Sequence, residues 1–238
     1  MTGNTTMKYA LVLDIDETLL NPLEKYKTIL NKTLGTQITI KDIEVNGGLD
    51  NLFRTFPFYD KFCEIADKLR ESSEFNSELP TIEGSVEYLR KIMSFPSLVH
   101  LLYLTTRPVN ITLPTIDNLL NAGFPDADII ARPLDIHRDN TAHWKKSILA
   151  EFSQDFDGEV IFVDDNISTA NQIYSKNLED PQSKIHMILF SGPITYTQIA
   201  MENISSDYKN YFYVANNWMH IFQLCKEIIF GNRGDEIE

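Results

Sequence analysis

Short apolar runs alternate with amphipathic segments along most of this chain. Apolar runs rich in branched and aromatic residues, too short for a buried helix, favour strands that are buried on both faces. They predict strands at 8–14, 98–105, 128–131, 159–163 and 184–190, and a shorter one at 211–214. Apolar residues at helical spacing predict helices at 84–93, 113–122, 141–152, 168–177 and 218–230. This alternation predicts an α/β core, a doubly wound (Rossmann-like) parallel sheet with helices on both faces.

The stretch after the first predicted strand breaks the alternation. Residues 24–34 and 59–71 have helical spacing, shorter helical pieces are predicted within 41–56, and no buried strand is evident before Pro80. The sequence therefore predicts an α/β core made of 1–20 and 81–238, and a mostly helical insertion at 21–80. An insertion at this point would lie over the carboxyl edge of the first strand, which is where a lid would be placed.

Composition narrows the functional classes. The chain has 238 residues and a net charge of −13, which argues against a nucleic-acid or anionic-membrane surface. A small phosphorylated ligand stays possible because it needs only a few local positive groups. Cys63 and Cys225 show neither metal-ligand spacing nor a disulfide framework, so we expect free thiols in a reducing compartment. With neither a signal peptide nor a membrane-length apolar run evident, we expect a cytoplasmic protein.

Acidic residues follow two of the predicted strands directly. Asp14 and Asp16 end the first strand, and Asp164 and Asp165 end the strand at 159–163. Parallel strands end at one edge of a sheet, where α/β proteins bind ligands, so these carboxylates are expected to crowd one site. Oxygen-only ligands of this kind suit Mg²⁺. The alternative is that the four aspartates cap the turns and helices that follow.

Hydroxyl and positive groups occur at positions suited to holding a phosphate. The end of the strand at 98–105 carries Thr105, Thr106 and Arg107. Hydroxyl, backbone N–H and guanidinium groups there could bind phosphate oxygens. Lys145 and Lys146 lie on the helix before the fourth strand, and an ammonium there could neutralise carboxylate and phosphate charge. The alternatives are ordinary turn chemistry and solvated lysines. The adjacent pairs leave open which threonine and which lysine would act.

These residues, in this order, resemble the haloacid dehalogenase (HAD) superfamily of phosphohydrolases. The segment Asp14-Ile-Asp16-Glu-Thr18 is similar to its first motif, DxDx[TV]. Thr105, Lys145 and Asp164-Asp165 resemble the second, third and fourth motifs. The resemblance covers residues 8–20 and about 80–190, and the insertion at 21–80 stands where the family has a C1-type cap.

The resemblance implies a mechanism. Asp14 would be the nucleophile that forms an aspartyl-phosphate, and Asp16 would be the general acid and then the general base. The acid at Asp16 argues against dehalogenation, because dehalogenases of this superfamily lack it. We therefore expect a Mg²⁺-dependent phosphatase that acts on a small phosphorylated metabolite, with no nucleic-acid or membrane partner.

The resemblance also implies the ligands of the metal and of the phosphate. Mg²⁺ would be held by Asp14, the backbone carbonyl of Asp16 and Asp165, with Asp164 close behind. The phosphoryl oxygens would be bound by a threonine of the second motif and the lysine of the third: Thr105 or Thr106, and Lys145 or Lys146. Lys145 is preferred because Lys145 and Leu149 match the family's lysine-to-leucine spacing.

Two other functional classes fit the same residues less well. A phospho-ligand or protein-binding module could keep this fold without turnover. The long insertion favours it, and so does the fourth motif, which lacks an obvious second acid four or five residues further on. A receiver-like signalling domain also uses acidic strand ends and a lysine. It would need only about 120 residues and no cap, so it ranks last.

Overall fold

Six parallel strands form one sheet in the order β3-β2-β1-β4-β5-β6. The computed structural model describes residues 7–46, 48–179, 185–192 and 211–231. The strands are β1 (Tyr9–Leu13), β2 (Leu98–Pro108), β3 (Asp128–Arg132), β4 (Glu159–Asp164), β5 (Ile185–Phe190) and β6 (Phe212–Ala215). The predicted parallel α/β sheet is confirmed.

Among the described residues, five helices lie between β1 and Pro80. They are α1 (Leu23–Leu34), α2 (Ile40–Val45), α3 (Leu49–Arg54), α4 (Tyr59–Arg70) and α5 (Ser73–Asn76). They bury a hydrophobic cluster of their own, in which the rings of Phe53 and Phe62 stack with centroids 4.2 Å apart. The single turn of α5 is absent from the sequence prediction. Its N-cap is Ser72, whose hydroxyl accepts a hydrogen bond from the backbone N–H of Phe75. That these helices act as a cap stays a prediction.

The remaining helices cover both faces of the sheet. They are α6 (Ser85–Met93), α7 (Thr112–Ala122), α8 (Thr141–Asp155), α9 (Ile167–Glu179) and α10 (Trp218–Phe230). Leu11 and Leu13 of β1 pack in a core with α6, α7 and α10, whereas Val12 packs on the other face with α8 and α9. This explains why β1 is apolar at every position rather than at alternate ones. Within the described ranges, no helix combines the length and apolar character needed to cross a bilayer.

The register of the sheet brings three strand ends together. Leu13, the last residue of β1, pairs with Tyr103 of β2 on one side and with Val163 of β4 on the other. The polar residues that follow each of these positions therefore lie at one carboxyl edge, as the sequence predicts. This edge contains the candidate active site.

The carboxyl end of β2 is longer than predicted and irregular. The strand continues to Pro108, which pairs with Arg132 after a register shift beyond Thr105. Proline is tolerated at such a position because the ladder is already disrupted there. Irregularities of this kind bend a strand and redirect its side chains, often beside an active site. Arg107 lies within this irregular segment.

Candidate active site

Lys145 joins the ends of two central strands. Its Nζ lies 2.6 Å from Asp14 Oδ1 and 2.7 Å from Asp164 Oδ2, and the residue is only 1% exposed. Burial lowers the pKa of Lys145, but the two carboxylates outweigh burial and raise that pKa above its ordinary value. Lys146 points elsewhere, with Nζ 3.4 Å from Ser175 Oγ, because consecutive helical residues differ by about 100° around the axis. Of the two lysines, Lys145 is the one that meets the acidic strand ends.

Three carboxylates gather around this lysine. One oxygen from each of Asp14, Asp164 and Asp165 lies within 4.8 Å of the others. Burial raises the pKa of Asp14 to about 7; Lys145 opposes this shift and Asp164 reinforces it. Burial, followed by the charges of Glu17 and Asp164, raises the pKa of Asp165 well above its ordinary value. Both shifts arise first from burial, and the neighbouring carboxylates add to them.

The donor set of the acidic cluster fits a divalent cation. One ammonium faces three carboxylates, so two negative charges are left when all four groups are ionised. The ligand atoms are oxygens alone, which suits Mg²⁺. The spacing of the oxygens is also suitable, because opposite ligands of an octahedral Mg²⁺ lie about 4 Å apart.

Asp16 has a different partner from Asp14. Its Oδ2 accepts from Arg107 Nε at 2.9 Å, and its Oδ1 accepts from Arg107 Nη2 at 2.7 Å. The sequence analysis expected the carboxylates of Asp14 and Asp16 to crowd one site because both end the first predicted strand. β1 ends at Leu13, however, so both aspartates lie beyond the strand, and their carboxylates bind different cations. Arg107, a candidate phosphate ligand by sequence, pairs its buried guanidinium with this partly exposed carboxylate.

The two candidate threonines at the end of β2 differ in burial. Thr105 is 1% exposed, and its hydroxyl accepts a hydrogen bond from the backbone N–H of Arg107 at 3.2 Å. Thr106 is half-buried, and its carbonyl accepts from Arg132 Nε at 3.0 Å. A phosphate-binding role for either residue stays a prediction.

Glu17 belongs to the same edge and was missed from the sequence. It has a left-handed backbone with φ of 60°, which costs about 1–2 kcal/mol for a residue other than glycine. Burial and the charge of Asp16 raise the pKa of Glu17 to about 7, whereas Arg70, in the last turn of α4, lowers it. The only signal in the sequence was its position, directly after Asp16 in a tight turn.

The helical insertion contacts the core near this edge. Arg138, in the loop before α8, binds Asp67 of α4 with 3.1 Å between Nη1 and Oδ1. Asn118 of α7 donates its amide to the carbonyl of Asn76 in α5 at 3.1 Å, and this bond is buried. These contacts tie two helices of the insertion to two elements of the core.

A doubly wound sheet with acidic ends on β1 and β4, a lysine between them and helices inserted after β1 defines the haloacid dehalogenase fold. The predicted resemblance is confirmed at the level of the fold.

Solved structures match this chain over nearly its whole length. A candidate phosphatase from Clostridium difficile is 20% identical, with a TM-score of 0.59, and the match covers 92% of this chain and 99% of that one.

Two further structures match equally broadly. A phosphonoacetaldehyde hydrolase-like protein from Oleispira antarctica is 12% identical with a TM-score of 0.58, over 98% of this chain and 96% of that one. Protein tyrosine kinase A of Mycobacterium tuberculosis is 12% identical with a TM-score of 0.62, and the match covers 92% of this chain and 98% of that one. No protein-family model and no curated protein matches the sequence. At such identities the likeness establishes the fold.

Proposed function

We propose that this protein is a Mg²⁺-dependent phosphohydrolase that cleaves a small phosphate monoester through an aspartyl-phosphate on Asp14. The observation that carries the proposal is the bridge from Lys145 to Asp14 and Asp164 beside Asp165 at the end of the sheet. A buried carboxylate needs nearby positive charge to attack an anionic ester. The fold shared with the candidate phosphatase adds support.

The first half-reaction forms the covalent intermediate. Lys145 binds Asp14 Oδ1, so Oδ2 is the atom that attacks the phosphorus of the substrate. The bond between phosphorus and the ester oxygen breaks, and Asp16 delivers its proton to that oxygen. The ammonium of Lys145 stabilises the charge on the transferring phosphoryl group, and the hydroxyl of Thr105 or Thr106 binds one of its oxygens.

The second half-reaction releases phosphate. Asp16, now a carboxylate, takes a proton from a water molecule that attacks the same phosphorus. The bond between phosphorus and Asp14 breaks, Asp14 returns as a carboxylate, and inorganic phosphate leaves. Asp14, Asp164 and Asp165 would hold the Mg²⁺, with the backbone carbonyl of Asp16 as the further ligand that the resemblance implies. The bound ion would offset the repulsion between carboxylate and phosphate.

The segment 21–80 would act as a cap over this site. Its own hydrophobic cluster and its contacts with the core through Asp67 and Asn76 support this role. A cap excludes water during phosphoryl transfer and contacts the part of the substrate that is not transferred. We therefore propose that the substrate is a small phosphorylated metabolite.

Phosphate release from an aryl phosphate tests the proposal. Wild type should release phosphate only with Mg²⁺, and Asp14→Asn should lower the rate by about 10²-fold or more. Asp157→Asn is the matched control, because this aspartate has a side chain 96% exposed and lies away from the acidic cluster. A panel of nucleotide, sugar and cofactor phosphates then identifies the substrate class. Equal activity of wild type and Asp14→Asn across that panel would contradict the proposal.

A phospho-ligand-binding module without turnover is the second candidate. The pairing of Arg107 with Asp16 favours it, because both carboxylate oxygens of Asp16 already accept hydrogen bonds from the guanidinium. A general acid must instead carry a proton on one of those oxygens and release it to the leaving group. Calorimetry separates the two functions. Binding of a phosphate ester without hydrolysis, unaffected by Asp16→Ala, would favour the binding module.

A further inference from the structure

The pairing of Asp16 with Arg107 is the least expected feature of the site. The two residues are 91 positions apart, and two nitrogens of the guanidinium bind the two oxygens of the carboxylate. The Arg107 side chain is 2% exposed, whereas that of Asp16 is 29% exposed. The arginine is therefore fixed inside the protein, and the carboxylate that it holds still reaches solvent.

Two structural features fix the guanidinium in place. The backbone of Arg107 lies in the irregular end of β2, and its N–H donates to Thr105 Oγ1 at 3.2 Å. At the other end of the side chain, Nη1 donates to Thr115 Oγ1 of α7 at 3.3 Å. The hydroxyl of Thr115 in turn donates to the carbonyl of Ile111 at 2.8 Å. A planar guanidinium anchored in this way gives its carboxylate partner one orientation.

We propose that Arg107 is a positioning residue that holds the carboxylate of Asp16 for the second half-reaction. This inference rests on the proposed function. A bidentate guanidinium binds a carboxylate through both oxygens and leaves the outer lone pairs open to solvent. A carboxylate held in this way can accept a proton from water.

The affected step is hydrolysis of the aspartyl-phosphate. Water attacks phosphorus while one of its protons passes to the Asp16 carboxylate, and the bond from phosphorus to Asp14 breaks. Free Asp14 carboxylate and inorganic phosphate are the products. Without Arg107, Asp16 would sample several orientations, so this step should slow. The rate of formation of the intermediate from an aryl phosphate should stay nearly the same, because a good leaving group needs little protonation.

Rapid-quench kinetics with an aryl phosphate and Mg²⁺ measures the two steps separately. In Arg107→Lys, the rate constant for decay of the phosphoenzyme should fall by at least about tenfold, a fraction of what general base catalysis contributes. The rate constant for its formation should change by less than about threefold, so a burst of phenol should appear. Arg90→Lys is the matched control, because Arg90 binds the Gly123 carbonyl on the surface.

Thr115→Val keeps the inference testable even when Arg107→Lys does not fold. Valine has nearly the same shape, and it removes both the acceptor of Nη1 and the donor to the Ile111 carbonyl. The guanidinium loses one of its anchors, so the ratio of decay to formation should fall about threefold. An unchanged ratio in the folded variants, or an equal fall in both rate constants, would overturn the inference while leaving the proposed function intact. Failure of wild type to form any phosphoenzyme would refute both.

Discussion

Replacing Lys145 with methionine would leave the carboxylates of Asp14 and Asp164 buried without their shared ammonium. The ammonium lies 2.6 Å and 2.7 Å from them, and Asp164 is fully buried. Removing one partner of a buried ion pair costs about 3–5 kcal/mol because an uncompensated charge remains. For a chain of this length, that loss lowers the unfolding temperature by about 6–20 °C. Methionine keeps the length and the helix propensity of the side chain.

Thermal unfolding at about pH 8 without metal measures this loss, and Lys146→Met is the control. Lys146 is the next residue on the same helix and faces Ser175, so its replacement should cost less than about 1 kcal/mol. The difference between the two variants should shrink at about pH 5, because protonation of Asp14 removes one of the unpaired charges. Equal unfolding temperatures for the two variants at about pH 8 would refute the account of Lys145 as the neutralising charge.

Three further predictions concern the metal, the loop after Asp16 and the thiols. The pKa of Asp14, raised from 3.8 to about 7, lets the folded state bind a proton that the unfolded chain lacks. The stability of the metal-free protein should therefore fall as pH rises between about 4 and 7. In thermal melts at about pH 8, Mg²⁺ should restore the lost stability, and no effect of Mg²⁺ would contradict the metal site. Glu17→Gly should raise the urea midpoint by relieving a backbone strain of about 1–2 kcal/mol, and a lower midpoint would show that Glu17 makes a stabilising contact instead. A thiol reagent should label half-buried Cys63 in the native protein but not Cys225, whose burial raises its pKa to about 12; equal labelling would contradict this packing.

The sheet and its acidic edge follow from local features of the sequence. The apolar runs of β1 and β4 end directly in acids, and adjacent parallel strands then bring Asp14 and Asp164 together. Two other features depend on geometry that a sequence does not contain. The choice between Lys145 and Lys146 depends on the rotation of α8, and burial decides it.

The partner of Asp16 depends on a long-range contact. Arg107 reaches Asp16 from the irregular end of β2, whereas the sequence analysis ended that strand at residue 105. A strand continued to Pro108 would have placed Arg107 beside the end of β1. The turn of α5 is missed for a different reason, since four residues are too few to show helical periodicity.

Covalent labelling of Asp14 tests the central claim most directly. Wild type is mixed with a phosphate ester and Mg²⁺, quenched in acid within milliseconds, digested with pepsin in acid and analysed by mass spectrometry. The account predicts one acid-stable, base-labile phosphate in the peptide that contains Asp14, on Asp14 itself, and none in Asp14→Asn. Turnover of the ester without any phosphorylated peptide, or with the phosphate on another residue, would contradict it.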